Sequence, residues 1–232
     1  MTRLGFVTGL RREAAILETA SRDLPDAMQP LLYCGGAHAD RAHAGALSLI
    51  EAGAGALVSF GIAGGLVPEL PAGSLILAST IQILGKASLE VDLKWRDRLC
   101  QRIGANIKPQ LGEMVGSHVV VQTTDDKARL FDKTQCLAVD MESHAVARVA
   151  SEHALPFLVV RAIADTAAMA IPNAALAGIG TGGETRAFAA LRQATLVPWE
   201  WPALLRLGGA HQKALSVLRR TVYLAGVDLA YE

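Results

Sequence analysis

Short, wholly apolar runs alternate along this chain with stretches whose apolar residues recur at helical spacing, and that alternation restricts the fold more than any other feature. Leu4–Thr8 reads as a strand, with a helix over Arg11–Ser21 after it. Leu31–Cys34 is a second strand, closed by the Gly35-Gly36 turn and followed by a helix over Ala39–Ala52. Ala56–Phe60 is a buried strand ending in Gly61 and Gly64-Gly65, and Leu75–Ser79 is another. Leu93–Ile103 places Trp95, Leu99 and Ile103 on one helical face. Val119–Gln122 reads as a strand, Asp125–Lys133 as a short helix, and Leu137–Val139 as a strand feeding a helix over Glu142–His153. Pro156–Ile163 is the most apolar strand of all. Strands buried on both faces carry such continuous runs, where half-buried ones alternate. The order predicts an α/β chain, a three-layer α/β/α sandwich around a mixed, mostly parallel central sheet.

After Asp165 the texture changes. Ala170–Gly183 is a loop-like Ala/Gly/Pro segment and Glu184–Ala194 reads as a helix. Pro198-Trp199-Glu200-Trp201-Pro202 is rigid punctuation before a closing helix over Leu204–Leu224, broken near Gly208-Gly209. No repeat or second core is evident. The expectation is one domain over residues 1–232, with 170–232 as a helical C-terminal extension.

Composition narrows the function classes. A length of 232 residues is ample for a real core. Lys+Arg and Asp+Glu balance at 22 each, so the clustered basic surface that holds nucleic acid is not expected. Cys34, Cys100 and Cys136 are odd in number and form no CxxC pair, which points to a reducing compartment without a disulfide framework. The apolar run Leu4–Leu10 before Arg11-Arg12 is too short for a signal peptide. The long uncharged stretches, Ala52–Pro68 and Thr166–Gly183, are too rich in Gly, Ala and Pro for a membrane span. A cytoplasmic protein is expected, with peripheral contact at the inner membrane left open.

Familiar cofactor and metal motifs fail on their geometry. Gly53-Ala54-Gly55 lacks a third glycine and precedes a strand, so it is no dinucleotide fingerprint. Gly85-Lys86 has no glycine at P-loop spacing upstream, and no HxxxH pair or GxSxG elbow occurs. Neither a metal nor an organic cofactor is expected.

Three acids remain, all just past strand ends, where open α/β sheets bind their ligands. Glu13 opens the first helix, Glu142 follows Leu137–Val139, and Asp165 follows the strand ending at Ile163. Each also has a structural explanation: Glu13 and Glu142 suit a helix dipole, and Asp165 suits a cap. Arg161 lies inside an apolar strand, where it needs a buried acid as partner, Asp140 being a candidate. Three acids so placed suggest a polar site.

Four segments together carry a resemblance: Val7-Thr8-Gly9-Leu10-Arg11-Arg12-Glu13, Phe60-Gly61-Ile62-Ala63-Gly64-Gly65-Leu66, Ala138-Val139-Asp140-Met141-Glu142, and Pro156 through Asp165. In sequence and joint spacing they resemble the purine nucleoside phosphorylase and methylthioadenosine/adenosylhomocysteine nucleosidase superfamily. The whole chain, with its Pro-Trp-Glu-Trp-Pro segment, looks like the hopanoid-associated phosphorylase branch, implied to remove adenine from adenosylhopane. The resemblance implies that Asp165 delivers a proton to purine N7 and that Glu13 orients the attacking water, making these two the catalytic residues. Glu142 then grips the ribose hydroxyls and Met141 packs under the sugar. Gly35, Gly36, Gly64 and Gly65 let backbone approach the ribose or an anion, and Arg41 is a candidate for receiving inorganic phosphate as co-substrate. A homodimer acting on a small-molecule nucleoside is implied as well.

Departures from the nucleosidase pattern accompany it. Ile62 stands where those enzymes carry a hydroxyl residue, Ala164 stands where they carry Ser, and Gln82–Asp92 is shorter than the loop that closes over a small substrate. A shorter loop leaves the 5′ side open to a bulky group. The expected reaction is therefore cleavage of the N-ribosidic bond of an adenine nucleoside with a large apolar 5′ substituent, by hydrolysis or phosphorolysis. Glu13 tilts the choice to water, since a carboxylate repels phosphate. The alternatives are a methylthioadenosine/adenosylhomocysteine nucleosidase, a general purine nucleoside phosphorylase, and a non-catalytic purine or lipid binder. Ala170–Gly183 and the Trp199/Trp201 region are expected to form an apolar entrance at the 5′ end.

Overall fold

A computed structural model describes residues 2–177 and 198–232, so the helix expected over Glu184–Ala194 and the last part of Ala170–Gly183 lie outside the described residues. In chain order the elements begin with β1 (Arg3–Thr8), α1 (Arg11–Ser21), β2 (Leu31–Cys34), α2 (Ala39–Glu51) and β3 (Ala54–Gly65). Next come β4 (Leu75–Ile83), β5 (Leu89–Glu90), α3 (Leu93–Ile103), β6 (Gln110–Gly116) and α4 (Thr124–Thr134). The chain continues with β7 (Ala138–Asp140), α5 (Ser143–Glu152), β8 (Phe157–Asp165), α6 (Asn173–Ala177) and α7 (Trp201–Ala225).

The strands form one mixed sheet in the order β2-β1-β3-β7-β6-β4-β5, and β8 pairs with both β3 and β4. Strand β8 runs parallel to β3 and antiparallel to β4. Strands β3, β8, β4, β6 and β7 thus close a ring, and β1 and β2 extend the sheet from β3 as a parallel wing. Helices cover both faces. On one side α2 and α5 pack Ala42, Ala46, Val146 and Val149 against Val7, Leu57 and Val159. On the other, α1, α3 and α7 bring Leu17, Trp95, Leu99, Leu218 and Val222 against Phe6, Phe60, Leu158 and Val160. All nine residues of β8 are buried, as its continuous apolar run requires. The C-terminus is tied to this layer by Trp95 Nε1, which donates to the Leu229 carbonyl at 2.8 Å.

Two expectations about local structure are corrected. Val119–Gln122 is a loop, and the strand lies earlier, at Gln110–Gly116. That strand escapes notice because Leu111-Gly112-Glu113 is not apolar, yet it pairs parallel with β4, with Ile76 opposite Gln110 and, past a one-residue shift between Ala78 and Ile81, Ile83 opposite Gly116. Helix α7 runs unbroken through Gly208-Gly209. Each glycine costs roughly 1 kcal/mol of helix propensity, which burial of Ala210, Ala214, Leu215, Leu218 and Val222 on the same helix offsets. Among the described residues no helix is long and apolar enough to cross a membrane.

Candidate active site

The carboxyl ends of β1, β7 and β8 and the glycine-rich end of β3 converge on one cavity of about 380 Å³. Glu13, Gly64, Met141, Glu142 and Asp165 all line it, as do Asp140 and Arg161. Gly35, Gly36, Gly65 and Arg41 do not. Gly35 and Gly36 instead precede Ala37, which reaches the wall. Arg41 spends its guanidinium on that turn, donating from Nε to the Gly35 carbonyl at 2.5 Å and from Nη2 to the Gly36 carbonyl at 2.8 Å.

Glu13 fixes the start of α1 while lining the cavity. Its Oε2 accepts from the backbone N–H groups of Gly9 and Leu10 at 2.9 and 2.8 Å, which caps α1 where Leu10 offers no side-chain cap. Its Oε1 accepts from Ile62 N at 2.8 Å, which pins the helix start to β3. A carboxylate has about four lone-pair sites, so three such bonds leave room for one further donor from the cavity. Burial pushes the Glu13 carboxyl up, against the opposing charge of Arg161 and the three backbone donors.

Arg161 organises the floor. It is wholly buried at the middle of β8, and its Nη2 lies 2.6 Å from Asp140 Oδ2 and 2.9 Å from Glu142 Oε2. The same nitrogen donates to Ser59 Oγ at 2.7 Å, while Nη1 donates to the Ile62 carbonyl at 3.1 Å. Asp140 in turn accepts from Ser143 N and from the Ser143 hydroxyl, fixing the start of α5. The expected pairing of Arg161 with Asp140 is present, and Glu142 shares it. Glu142 is pushed up to about 7, chiefly by burial and further by the charges of Asp140 and Glu13, with Arg161 opposing. Gly61 makes the arrangement sterically feasible: a Cβ there would lie 2.6 Å from the Glu13 carboxyl carbon and 2.7 Å from Arg161 Nη1. Gly9 does the same for the neighbouring wall, where a Cβ would lie 2.7 Å from Glu142 Oε1.

Asp165 ends β8, and its Oδ2 accepts from Lys127 Nζ at 2.5 Å. Burial raises its carboxyl above the ordinary range while Lys127 pulls it back. Sequence reasoning passed over Lys127, which sits in a charged stretch, Asp125-Asp126-Lys127-Ala128-Arg129. One signal was available. Lys127 shares the stripe of α4 that carries Leu130, Phe131 and Thr134, the face turned inward.

Most of the remaining lining is apolar. Val119, Val120 and Val121, then Ile171, Ala175 and Leu176, and Leu204 and Leu207 of α7 all contribute to it, with His211 and Gln212. The described part of Ala170–Gly183 therefore does line the cavity. Trp199 and Trp201 do not, being 76% and 41% exposed; α7 contributes the two leucines instead.

A mixed α/β sheet of this topology, with buried carboxylates gathered at its strand ends over one cavity, has the architecture of the nucleoside phosphorylases and nucleosidases. The chain belongs to the Phosphorylase superfamily, whose family model matches residues 26–192. No curated protein matches it in a sequence comparison. Among solved structures it is similar to futalosine hydrolase of Helicobacter pylori, at 17% identity over 96% of each chain and a TM-score of 0.72. It is also similar to 5′-methylthioadenosine/S-adenosylhomocysteine nucleosidase from Neisseria meningitidis in complex with methylthio-immucillin-A, at 14% identity over 96% of this chain and 97% of that one, with a TM-score of 0.72. A mutant of the Helicobacter pylori nucleosidase with 5′-methylthioadenosine in its active site matches at 15% identity over 96% and 99% of the two chains, with a TM-score of 0.69.

Proposed function

We propose that this enzyme cleaves the N-ribosidic bond of an adenine nucleoside bearing a bulky apolar 5′ group, of the adenosylhopane type, and releases adenine. The observation that carries the reading is the mixed lining of a single cavity. Glu13, Glu142, Arg161 and Asp165 share it with Val119–Val121, Ile171, Leu176, Leu204 and Leu207. In this reading Asp165 protonates the departing base at N7. Glu142 accepts from the ribose hydroxyls, and its negative charge favours the oxocarbenium-like sugar. Glu13 uses its remaining acceptor site to orient and deprotonate water. Ordering a large hydrocarbon against the apolar walls contributes binding at roughly 25 cal/mol per Å² of apolar surface removed from water.

Water is the nucleophile favoured by charge. Glu13, Asp140, Glu142 and Asp165 are buried against Arg161 and Lys127, so the floor carries more acids than cations when all are ionised. Phosphate entering beside Glu13 would be repelled, and Arg41 is already committed to backbone carbonyls. The test is adenine release by the purified protein from an adenosylhopane-type nucleoside and from methylthioadenosine, each with and without inorganic phosphate. Phosphate-independent release, faster on the hopanoid substrate, is expected. Dependence on phosphate would make it a phosphorylase, and preference for methylthioadenosine would replace the apolar 5′ group with a small one. Adenine bound but never released from any nucleoside would end the enzymatic reading.

A further inference from the structure

Lys127 is 0% exposed, an uncommon place for a lysine, and its three ammonium protons have three acceptors. Nζ donates to Asp165 Oδ2 at 2.5 Å, to the Thr166 carbonyl at 2.9 Å and to the Met169 carbonyl at 2.7 Å. These partners are not equivalent. A peptide carbonyl only accepts, whereas a carboxylate can also take the proton. A neutral amine retains two N–H bonds for the two carbonyls and turns its lone pair toward a protonated Asp165. The proton between Nζ and Oδ2 can therefore change sides with every hydrogen bond kept and no heavy atom displaced. The residue before Asp165 is Ala164, which has no polar side chain to share this task.

We propose that Lys127 is the proton reservoir behind Asp165: its ammonium protonates the Asp165 carboxylate as that group passes a proton to the purine base. The inference rests on the N-ribosyl-cleavage reading and adds to it a positioning residue that sequence reasoning did not assign. As the C1′–N9 bond breaks, its electron pair goes to the base, and N7 takes the proton from Asp165. Lys127 is left as a neutral amine and Asp165 as a carboxylate. Water adds to C1′ and gives its proton to Glu13; after products leave, Glu13 releases that proton to solvent and solvent reprotonates Lys127. The ion pair thus lets Asp165 rest ionised yet act as an acid. The opposing effects of burial and of Lys127 on the Asp165 carboxyl fit such sharing.

The test compares two substrates: an unmodified adenine nucleoside, and its N7-methylated counterpart, whose base leaves without gaining a proton. Lys127→Met is expected to lose about 100-fold or more in kcat on the unmodified nucleoside, the scale of general acid catalysis. On the methylated one the loss should stay under about tenfold. Lys127→Arg keeps a cation beside Asp165 but cannot give up its proton, so it should stay slow on the unmodified substrate alone; it also carries the test if Lys127→Met fails to fold. Equal losses on both substrates, or recovery of the wild-type rate by Lys127→Arg, would overturn the relay while leaving N-ribosyl cleavage intact. A wild-type protein that releases base from neither nucleoside would overturn both.

Discussion

Glu142 Oε2 lies 2.9 Å from Arg161 Nη2, and that nitrogen is also 2.6 Å from Asp140 Oδ2. One buried guanidinium therefore compensates two buried carboxylates, and Glu13 adds a third negative group within its field. Arg161→Met should cost about 3–5 kcal/mol, because removing the cation leaves the buried Asp140 and Glu142 without the guanidinium that neutralises them. Urea denaturation measures it. Arg161→Lys should recover little, since one ammonium cannot reproduce the planar fork that spans Asp140, Glu142 and the Ile62 carbonyl.

The raised Glu142 carboxyl gives the protein a pH signature. Folding moves it from the ordinary 4.5 to about 7, so the native state holds this proton more tightly than the unfolded chain. The stabilisation that results is complete below about 4.5 and is lost as pH rises through about 7. Melting temperature followed against pH should show that decline in the wild type, and Glu142→Gln should flatten it. Nucleoside affinity should run the other way over the same window, because the ionised carboxylate is the form that accepts from ribose hydroxyls.

Gly61→Ala tests the packing of the floor with a single methyl group. Its Cβ would sit 2.6 Å from the Glu13 carboxyl and 2.7 Å from Arg161 Nη1, and neither group has slack. Overpacking of this kind costs about 1–3 kcal/mol. Displacing Glu13 from Ile62 N should also lower adenine release by about 100-fold, through loss of aligned general base catalysis. A chemical melt together with steady-state kinetics would separate the two effects; unaltered activity would contradict the role given to Glu13.

The apolar lining of the cavity can be tested apart from the chemistry. Leu207→Ser removes hydrocarbon from the α7 wall without touching any carboxylate. It should raise KM for an apolar 5′-substituted nucleoside about 10- to 100-fold, the scale of one lost apolar side-chain contact of about 1–3 kcal/mol. Plain adenosine, which lacks the apolar 5′ group, should be little affected. Equal losses on the two substrates would place the 5′ group elsewhere.

Much of this architecture was legible in one dimension. The helices at Arg11–Ser21 and Leu93–Ile103 and the strand at Leu31–Cys34 lie where periodicity places them. Glu13, Met141, Glu142 and Asp165 do gather at one cavity, because each lies at or shortly past the carboxyl end of a strand and strand ends converge in this class of fold. Less legible were segments whose structure depends on distant partners. Val119–Gln122 is apolar enough for a strand, yet it is cavity wall, while the true strand, β6, is held by its pairing with β4 and β7. Arg41 follows the Gly35-Gly36 turn as expected, within α2, but which groups its guanidinium meets is a matter of three-dimensional placement.

What the sequence by itself determined is the local periodicity, the layered α/β class and the acids at strand ends. These follow from near neighbours along the chain and from the need to bury apolar runs on both faces of a sheet. Only the tertiary structure decided that β8 closes a ring between β3 and β4. It alone showed that Arg161 serves both Asp140 and Glu142, and that Lys127, 38 residues before Asp165, holds that carboxylate. A charge in an isolated helix reads as solvated. It becomes a buried ion pair only when the fold removes water from it and supplies the opposite charge, and no local pattern encodes that meeting.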